Sequence, residues 1–278
     1  MTIRIVTDSA SDIPCEVAQK LGISIVPLTV SFGKEVYRDG IDLSAGEFYA
    51  KLAQNKILPK TSQPSIGNFI DVYKTLAQEN SEIISIHVSD KLSGTYNAAL
   101  LAKEAMEKDC HIEIVDSESV SMGSRLTVIA AAKAIRDGVS FKEAMNIIHR
   151  SIPRIRLLAF FQTLEYVEKG GRLGKGKALL GALLHVKPLI TVRDGEVQLF
   201  GTARTRMSAL QRLHDFVKTL SHIRELSIMY TTGFEEVKIL ARLLTPIFPR
   251  DRILVAQAGS ALGTHTGPDT LAVAALVE

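Results

Sequence analysis

Hydroxyl-bearing side chains cluster at two points where a predicted strand or loop leads into a predicted helix. Thr61 and Ser62 precede a Gln-Pro pair, and proline keeps the residue before it extended, so we expect a fixed loop that presents both hydroxyls. Ser93 and Gly94 follow a predicted buried strand and open a helix, whose first amides attract anions. A helix cap alone would explain Ser93 but not Gly94, which weakens a first turn. The two clusters therefore predict a site for a carboxylate or a phosphate.

One of the seven histidines lies among glycine and threonine residues, in Gly263-Thr-His-Thr-Gly267. We expect a loop there, near the end of a strand, and interpret His265 as a ligand contact. Ser93 and His265 also allow an alternative, a serine hydrolase that acts on acyl esters with serine as nucleophile and histidine as its base. Lys91 and Thr95 occupy the glycine positions of the Gly-x-Ser-x-Gly pattern of such enzymes, which argues against this alternative.

A segment rich in glycine and lysine, residues 168–177, matches most of a phosphate-binding P-loop. Ala178 stands where a serine or threonine would hold Mg²⁺, and a predicted helix rather than a strand precedes the segment. These two departures argue against a nucleoside triphosphatase. We expect instead a basic surface loop, suited to an anionic ligand or a partner protein.

The elements that must position these residues belong to an ordinary globular chain. Its 278 residues are 46% hydrophobic and 23% charged with a net charge of +3, which excludes intrinsic disorder. Cys15 and Cys110 lack the spacing of a metal or redox site, and no apolar run reaches the length of a membrane span. We therefore expect a cytoplasmic protein without a metal or an integral membrane segment.

A second alternative is a nucleic-acid-binding regulator, which only the mild basicity and the basic patch at residues 150–156 suggest. No motif for reading bases is present, so we expect no nucleic-acid partner.

Strands and helices alternate through the first half of the chain, which predicts βαβ units and a largely parallel sheet. The second half contains two strand-like runs around Asp194-Gly195, which is typical of a hairpin. We therefore predict an α/β protein of two domains: a mostly parallel βαβ domain at residues 1–155 and a mixed-sheet α+β domain at residues 156–278. A ligand cleft is expected between them. In detail, residues 23–32 should form one strand, and Asp12 should cap the helix that ends at Gly22.

An ordered series of motifs resembles the DegV family over essentially the full chain. The series comprises Thr7-Asp-Ser-Ala-Ser-Asp12, Thr61-Ser-Gln-Pro-Ser65, Ser93-Gly-Thr-Tyr-Asn97, Asp116-Ser with Met122-Gly123, Leu164-Glu-Tyr166 running into Lys169-Gly-Gly-Arg172, and Gly263-Thr-His-Thr-Gly267. Asp269 departs from the family pattern, which has glycine after the proline. The family includes the fatty-acid-binding subunits of bacterial fatty acid kinase.

The resemblance implies a carrier rather than an enzyme. Such a protein binds one long-chain fatty acid, such as palmitate, in an interdomain tunnel and serves lipid transport or fatty acid metabolism. By motif position, Thr61 and Ser93 would hydrogen-bond the carboxylate, His265 would lie beside it, and Ser62 is a weaker addition. No cofactor is implied apart from the fatty acid as ligand.

The resemblance also implies a partner, the catalytic subunit of a fatty acid kinase, which is similar to dihydroxyacetone kinases. Arg172 and Arg204 match positions expected at the surface that meets this subunit. The partner would bring ATP and convert the bound fatty acid into an acyl phosphate.

Overall fold

The computed structural model describes residues 2–79, 81–106, 110–173 and 186–278. In the first half of the chain, strands alternate with helices as the apolar pattern predicts, except that three short strands follow one another between residues 23 and 38. These elements are β1 (Thr2–Asp8), α1 (Cys15–Leu21), β2 (Ile23–Val26), β3 (Thr29–Phe32), β4 (Glu35–Arg38), α2 (Ala45–Gln54), β5 (Lys60–Ser62), α3 (Ile66–Ala77), β6 (Ser81–His87), α4 (Thr95–Ala105), β7 (Ile112–Asp116), α5 (Met122–Arg136) and α6 (Phe141–Ser151).

The second half contains six strands and four helices among its described residues. These elements are β8 (Ile155–Phe160), α7 (Glu165–Lys169), β9 (Lys187–Arg193), β10 (Glu196–Ala203), α8 (Arg206–Lys218), β11 (Ile223–Tyr230), α9 (Phe234–Leu244), β12 (Ile253–Gln257), α10 (Ser260–Thr266) and β13 (Leu271–Val277).

A four-stranded parallel sheet forms the centre of the first half, in the order β2-β1-β6-β7. Ile83, Ile84 and Ile86 of β6 are fully buried, because helices cover both faces of the sheet. Helices α5 and α6 pack on one face, and α3 and α4 pack on the other. The predicted parallel sheet is confirmed.

A six-stranded mixed sheet forms the second half, in the order β10-β9-β8-β13-β11-β12. Only β11 and β12 pair in parallel within it. Strands β9 and β10 form the predicted hairpin, and Asp194 and Gly195 at its tip have φ values of 49° and 76°, as a two-residue type I′ turn requires. One face of the sheet packs against α8 and α9, whereas α5, α7 and α10 lie over the other.

The predicted domain boundary at residue 155 coincides with the start of β8, the first strand of the mixed sheet along the chain. We keep this boundary as a proposal. The first half also carries a small antiparallel sheet in the order β4-β3-β5.

The prediction of one strand at residues 23–32 is wrong. Strand β2 belongs to the parallel sheet, whereas β3 belongs to the small antiparallel sheet. Pro27, between them, has no N–H to continue a ladder, and the N–H of Leu28 donates to Ser9 Oγ at 3.0 Å instead. The chain therefore leaves one sheet and enters another within two residues.

The predicted capping role of Asp12 is also wrong. Pro14 occupies the N-cap of α1, and Asp12 lies earlier with a φ of 51°. Its carboxylate instead accepts hydrogen bonds from the backbone N–H of Gly259 at 2.7 Å and from Ser121 Oγ at 2.6 Å. Both donors are more than a hundred residues away in sequence, so no local pattern indicates them.

Candidate functional site

A mostly apolar cavity lies against the inner face of the mixed sheet, and both halves of the chain line it. It encloses about 900 Å³ free of protein atoms, part of which is open to solvent. The first half contributes Ala10, Leu28, Thr61, Val88, Leu92, Ser93, Val120, Ser121 and Met122; the second contributes Leu157, Ala159, Phe161, Val167, Arg172, Ile190, Val192, Val197, Met229, Ala261, Leu262, His265, Thr266 and Ala272.

The floor of the cavity is a row of side chains that crosses four neighbouring strands in register. Ile190 of β9 pairs with Ala159 of β8, Ala159 pairs with Ala272 of β13, and Ala272 pairs with Met229 of β11. Paired residues in a sheet point to the same face. Because the two central positions are alanines, the floor is lowest in its middle and leaves room for a narrow apolar ligand.

Thr61 and His265 meet at the polar part of the cavity wall, where Thr61 Oγ1 lies 2.8 Å from His265 Nε2. The structure places neither residue in the loop that the sequence predicts. Thr61 lies on β5, where it pairs with Val30 of β3, and His265 lies in the last turn of the short helix α10. The two side chains are 204 residues apart in sequence and meet only through the fold.

His265 is neutral at physiological pH. Burial, followed by the nearby positive charge of Arg172, lowers its pKa from 6.5 to about 4. Its Nδ1 atom is buried and has no hydrogen-bond partner among the described residues. A proton on Nδ1 would therefore be a buried, unpaired donor, so we assign the proton to Nε2. Nε2–H then donates to Thr61 Oγ1, and the threonine hydroxyl is left to donate elsewhere.

Two glycines of the motifs allow backbone to approach a polar side chain closely. A β-carbon on Gly170 would lie 2.2 Å from Nδ1 of His265, and one on Gly94 would lie 2.0 Å from Oε1 of Gln63. Neither position therefore accepts a larger residue without displacement of its neighbour. Packing against Gln63 thus explains why position 94 is a glycine, in place of the anion binding predicted from the sequence.

Ser93 lines the same cavity, at the turn that leads into α4. Its hydroxyl lies 2.8 Å from Thr95 Oγ1 and accepts a weaker bond from the N–H of Thr95 at 3.3 Å. The hydrogen bonds of Ser93 do not include one to His265, whose Nε2 contacts Thr61 instead. The arrangement therefore lacks the serine–histidine contact on which the hydrolase alternative depends.

Ser62 is exposed and does not line the cavity, because neighbouring residues of a strand point to opposite sides. Arg172 lies at the cavity mouth, half-buried, where Nε donates to the carbonyl of Leu92 at 3.1 Å and Nη1 donates to that of Gly170 at 2.5 Å. Arg204 is exposed between β10 and α8, away from the cavity.

Several residues around the mouth were not predicted from the sequence. A second hollow, which shares Thr61 and His265 with the cavity, is also lined by Lys60, Tyr166 and Lys169. Tyr166 and Lys169 fall within the quoted motifs, so the motifs could have indicated them, whereas Lys60 carries no such signal. The glycine- and lysine-rich segment beyond Leu173 lies outside the described residues.

The described part of the chain lacks a cluster of metal ligands and a membrane-spanning helix. No three histidine, cysteine or acidic side chains there lie close enough to hold a metal ion. None of the helices there is both long and apolar enough to cross a membrane.

A parallel sheet, a mixed sheet and an apolar cavity with hydroxyl groups in its wall define an α/β protein with a candidate ligand pocket. The chain belongs to the DegV family: the family model, described as "Uncharacterised protein, DegV family", matches residues 2–278. A DegV domain-containing protein of Caldanaerobacter subterraneus subsp. tengcongensis is 34% identical over 98% of this chain and 97% of that protein.

Solved structures of the family are similar over the whole chain. A DegV family protein from Thermus thermophilus, described for its fatty acid binding, has a TM-score of 0.91 and 31% identity, with 100% of both chains covered. A stearic acid-binding protein from Eubacterium ventriosum has a TM-score of 0.88 and 30% identity, covering 99% of this chain and 98% of that one. The predicted family and fold class are thereby confirmed.

Proposed function

We propose that this protein binds one long-chain fatty acid, with the carboxylate at Thr61, Ser93 and His265 and the tail along the alanine floor. The observation that carries the proposal is the shape and polarity of the cavity, which is apolar along the sheet and has hydroxyls and one neutral imidazole in its wall. The similar proteins from Thermus thermophilus and Eubacterium ventriosum, described as binding fatty acid and stearic acid, support it.

The apolar tail supplies most of the affinity. Each buried methylene contributes about 0.8 kcal/mol, so the tail of palmitate contributes on the order of 10 kcal/mol before the costs of association. The head group needs only enough hydrogen bonds to offset the loss of its hydration.

The polar wall holds the carboxylate in register. Because His265 Nε2–H occupies an acceptor site of Thr61 Oγ1, the threonine O–H is directed to donate to a carboxylate oxygen. The hydroxyl of Ser93 is a second donor, and Arg172 at the mouth makes the surrounding potential positive.

Native mass spectrometry of the purified protein, followed by solvent extraction, tests this function. We expect one fatty acid for each chain, either copurified or taken up on incubation with a series of chain lengths. A protein that stays empty across the whole series would contradict the proposal. Covalent labelling of Ser93 by an activated ester, with burst kinetics, would support the hydrolase instead.

We further propose that the protein presents the bound carboxylate to a fatty acid kinase catalytic subunit in the cytoplasm, and that the partner catalyses acyl phosphate formation. Family membership supports this proposal, together with a mouth lined by Arg172 and Lys169 that suits an anionic product. Arg204, which lies farther from the mouth, is a second proposed contact with the catalytic subunit.

Phosphorylation assays with a purified catalytic subunit and ATP test the partnership. In Ser93→Ala we expect a larger loss of acyl phosphate formation than of fatty acid binding, since the tail supplies the affinity. A collapse of binding with normal phosphorylation of the remaining bound lipid would overturn this division of roles.

A further inference from the structure

Two buried carboxylates from the first half of the chain hold the beginning of α10. Asp12 Oδ1 accepts the N–H of Gly259 at 2.7 Å. Asp39 Oδ1 accepts both the N–H of Ser260 at 2.8 Å and its Oγ–H at 2.6 Å. A β-carbon on Gly259 would lie 3.2 Å from Asp12 Oδ1 and 3.0 Å from Asp39 Oδ1, so the two carboxylates flank one point of the backbone.

Asp12 and the backbone around it are themselves held by buried partners. Ser121 Oγ donates to Asp12 Oδ2 at 2.6 Å, and the guanidinium of Arg125 donates to the backbone carbonyls of Asp12 and Ser11. Arg125 is 1% exposed and supplies the positive charge nearest to Asp12. Tyr49 O–H donates to the carbonyl of Ala258, just before α10, at 3.2 Å. The start of the helix is therefore fixed from several sides.

This anchoring is stronger than a helix start needs. A serine or asparagine side chain caps a helix without the cost of burying a charge. Burial here raises the pKa of Asp12 to about 6 and raises that of Asp39, which shows that both carboxylates are costly to keep ionised. Helix α10 has only seven residues, too few to hold its shape alone.

The same helix carries the candidate site. Ala261 and Leu262, in its first turn, line the apolar cavity, and His265, one turn later, contacts Thr61. A movement of the anchored end would therefore displace the cavity wall and the histidine together.

We propose that Asp12 and Asp39 are positioning residues of the ligand site: they hold α10 where His265 Nε2 meets Thr61. This inference rests on the proposed fatty acid function, because the role of the Thr61–His265 pair is to orient a donor toward the carboxylate.

Variants of Asp39 test the inference through two measurements. Asp39→Ala removes the acceptor of Ser260, and we expect the imidazole ¹⁵N resonances of His265 to shift in the ligand-free protein and palmitate affinity to fall about tenfold or more, equivalent to roughly 1.4 kcal/mol. Asp39→Asn keeps an acceptor oxygen, so its His265 resonances and its palmitate affinity should both lie close to those of the wild type. Should Asp39→Ala not fold, Ser260→Ala removes one of the same hydrogen bonds, with a smaller shift expected.

Asp8→Ala is the matched control. Asp8 is also a fully buried carboxylate, but it accepts the N–H groups of Ala10 and Val88 and contacts His87, with no hydrogen bond to α10. Asp8→Ala should therefore lower the free energy of unfolding without moving the His265 resonances. Unchanged resonances in folded Asp39→Ala, or an equal resonance shift in Asp8→Ala, would overturn the inference. If the wild-type protein binds no fatty acid, the proposed function fails while the His265 resonances still decide the positioning role.

Discussion

A neutral histidine that directs a threonine hydroxyl is the residue-level feature on which the candidate site depends. The 2.8 Å contact between His265 Nε2 and Thr61 Oγ1 uses one histidine nitrogen, and the other is buried without a partner among the described residues. Protonation of His265 would place a second N–H at Nδ1, against Gly170, where none of the described residues offers an acceptor. The geometry and the lowered pKa therefore both indicate a neutral His265.

The pH dependence of stability should report this state of His265. The folded-state pKa of about 4 is below the ordinary 6.5, so the stabilisation from His265 is complete above pH 6.5 and is lost as the pH falls toward 4. Between pH 7 and pH 5 the loss should be on the order of 2 kcal/mol. In His265→Gln we expect a correspondingly shallower decline of the unfolding free energy, measured by urea denaturation of the ligand-free protein.

Asp12 does not interfere with this comparison. Its raised pKa has the opposite effect, favouring the folded state as the pH falls from 6 toward 4, but the wild type and His265→Gln share it. Parallel pH profiles for the two proteins would show that His265 titrates normally.

The hydroxyl of Thr61 should matter more than its shape. In Thr61→Val the side chain keeps its volume and loses the donor, so we expect fatty acid affinity to fall about tenfold, as for one lost hydrogen bond to a charged group. Thr61→Ser keeps the hydroxyl and should bind within a few-fold of the wild type. Displacement of a fluorescent fatty acid measures both, and equal affinity of Thr61→Val and the wild type would remove Thr61 from the site.

At the scale of elements, the mixed sheet has one face that encloses the cavity and one that forms a filled core. Ala272 of β13 faces the cavity, whereas Ala275, three residues on, packs with the helices of the opposite face. Both alanines are 1% exposed. The same substitution at the two positions should therefore have opposite effects.

Leucine substitutions separate these two faces. Ala272→Leu places three more carbons at the wall of the cavity, so we expect a smaller loss of thermal stability than in a packed core, and loss of binding of long-chain fatty acids. Ala275→Leu overfills a packed core, which typically costs about 1–3 kcal/mol, and should leave binding intact. Thermal melts with and without palmitate make the comparison, and retained palmitate binding in Ala272→Leu would show that the tail lies elsewhere.

Elements with a clear apolar period were predictable from the sequence, and elements held by distant contacts were not. The parallel sheet, the hairpin and the capping box at Ser44, which opens α2, follow from local pattern. Strand β5 has three residues and exists because Thr61 pairs with Val30. Helix α10 contains glycine and threonine, which are poor helix formers, and depends on Asp12 and Asp39 for its start.

The candidate site was predictable only in part for the same reason. Residue types and the order of the motifs indicate Thr61, Ser93 and His265, and the structure brings all three to one cavity. The contact that pairs Thr61 with His265, and the role of Arg172 at the mouth, depend on approaches between segments far apart in sequence. Single-sequence patterns carry no information on such distances.

At the scale of the whole molecule, the tip of the hairpin joins the second half to the first. Ser89 Oγ donates to the carbonyl of Gly195 at 2.9 Å, and Lys91 Nζ donates to that of Asp194 at 2.7 Å. Residues 89–91 lead directly to Ser93, and the hairpin carries Val192 and Val197 of the cavity wall. This contact therefore holds two segments that lead into the cavity wall against each other.

Gly195→Ala should weaken the contact between the hairpin tip and residues 89–91. Its β-carbon would lie 2.4 Å from Ser89 Oγ, and the residue has a φ of 76°, so we expect faster exchange of bound fatty acid as well as lower stability. Gly138→Ala is the control, because Gly138 has a φ of 93° with open space around it. Both variants carry backbone strain of about 1 kcal/mol, but only Gly195→Ala should raise the dissociation rate in a stopped-flow measurement. Equal rates would show that the hairpin tip does not close the cavity.

The alanine floor has a thermodynamic consequence for the life of the protein. An unfilled apolar space leaves its walls without packing partners, so the ligand-free chain has an incomplete hydrophobic core. A ligand that fills the space at a hundred times its dissociation constant adds about 2.7 kcal/mol to the free energy of unfolding. Proteases that attack unfolded chains would therefore degrade ligand-free molecules first. The amount of the protein would then rise and fall with the concentration of the ligand that fills the cavity.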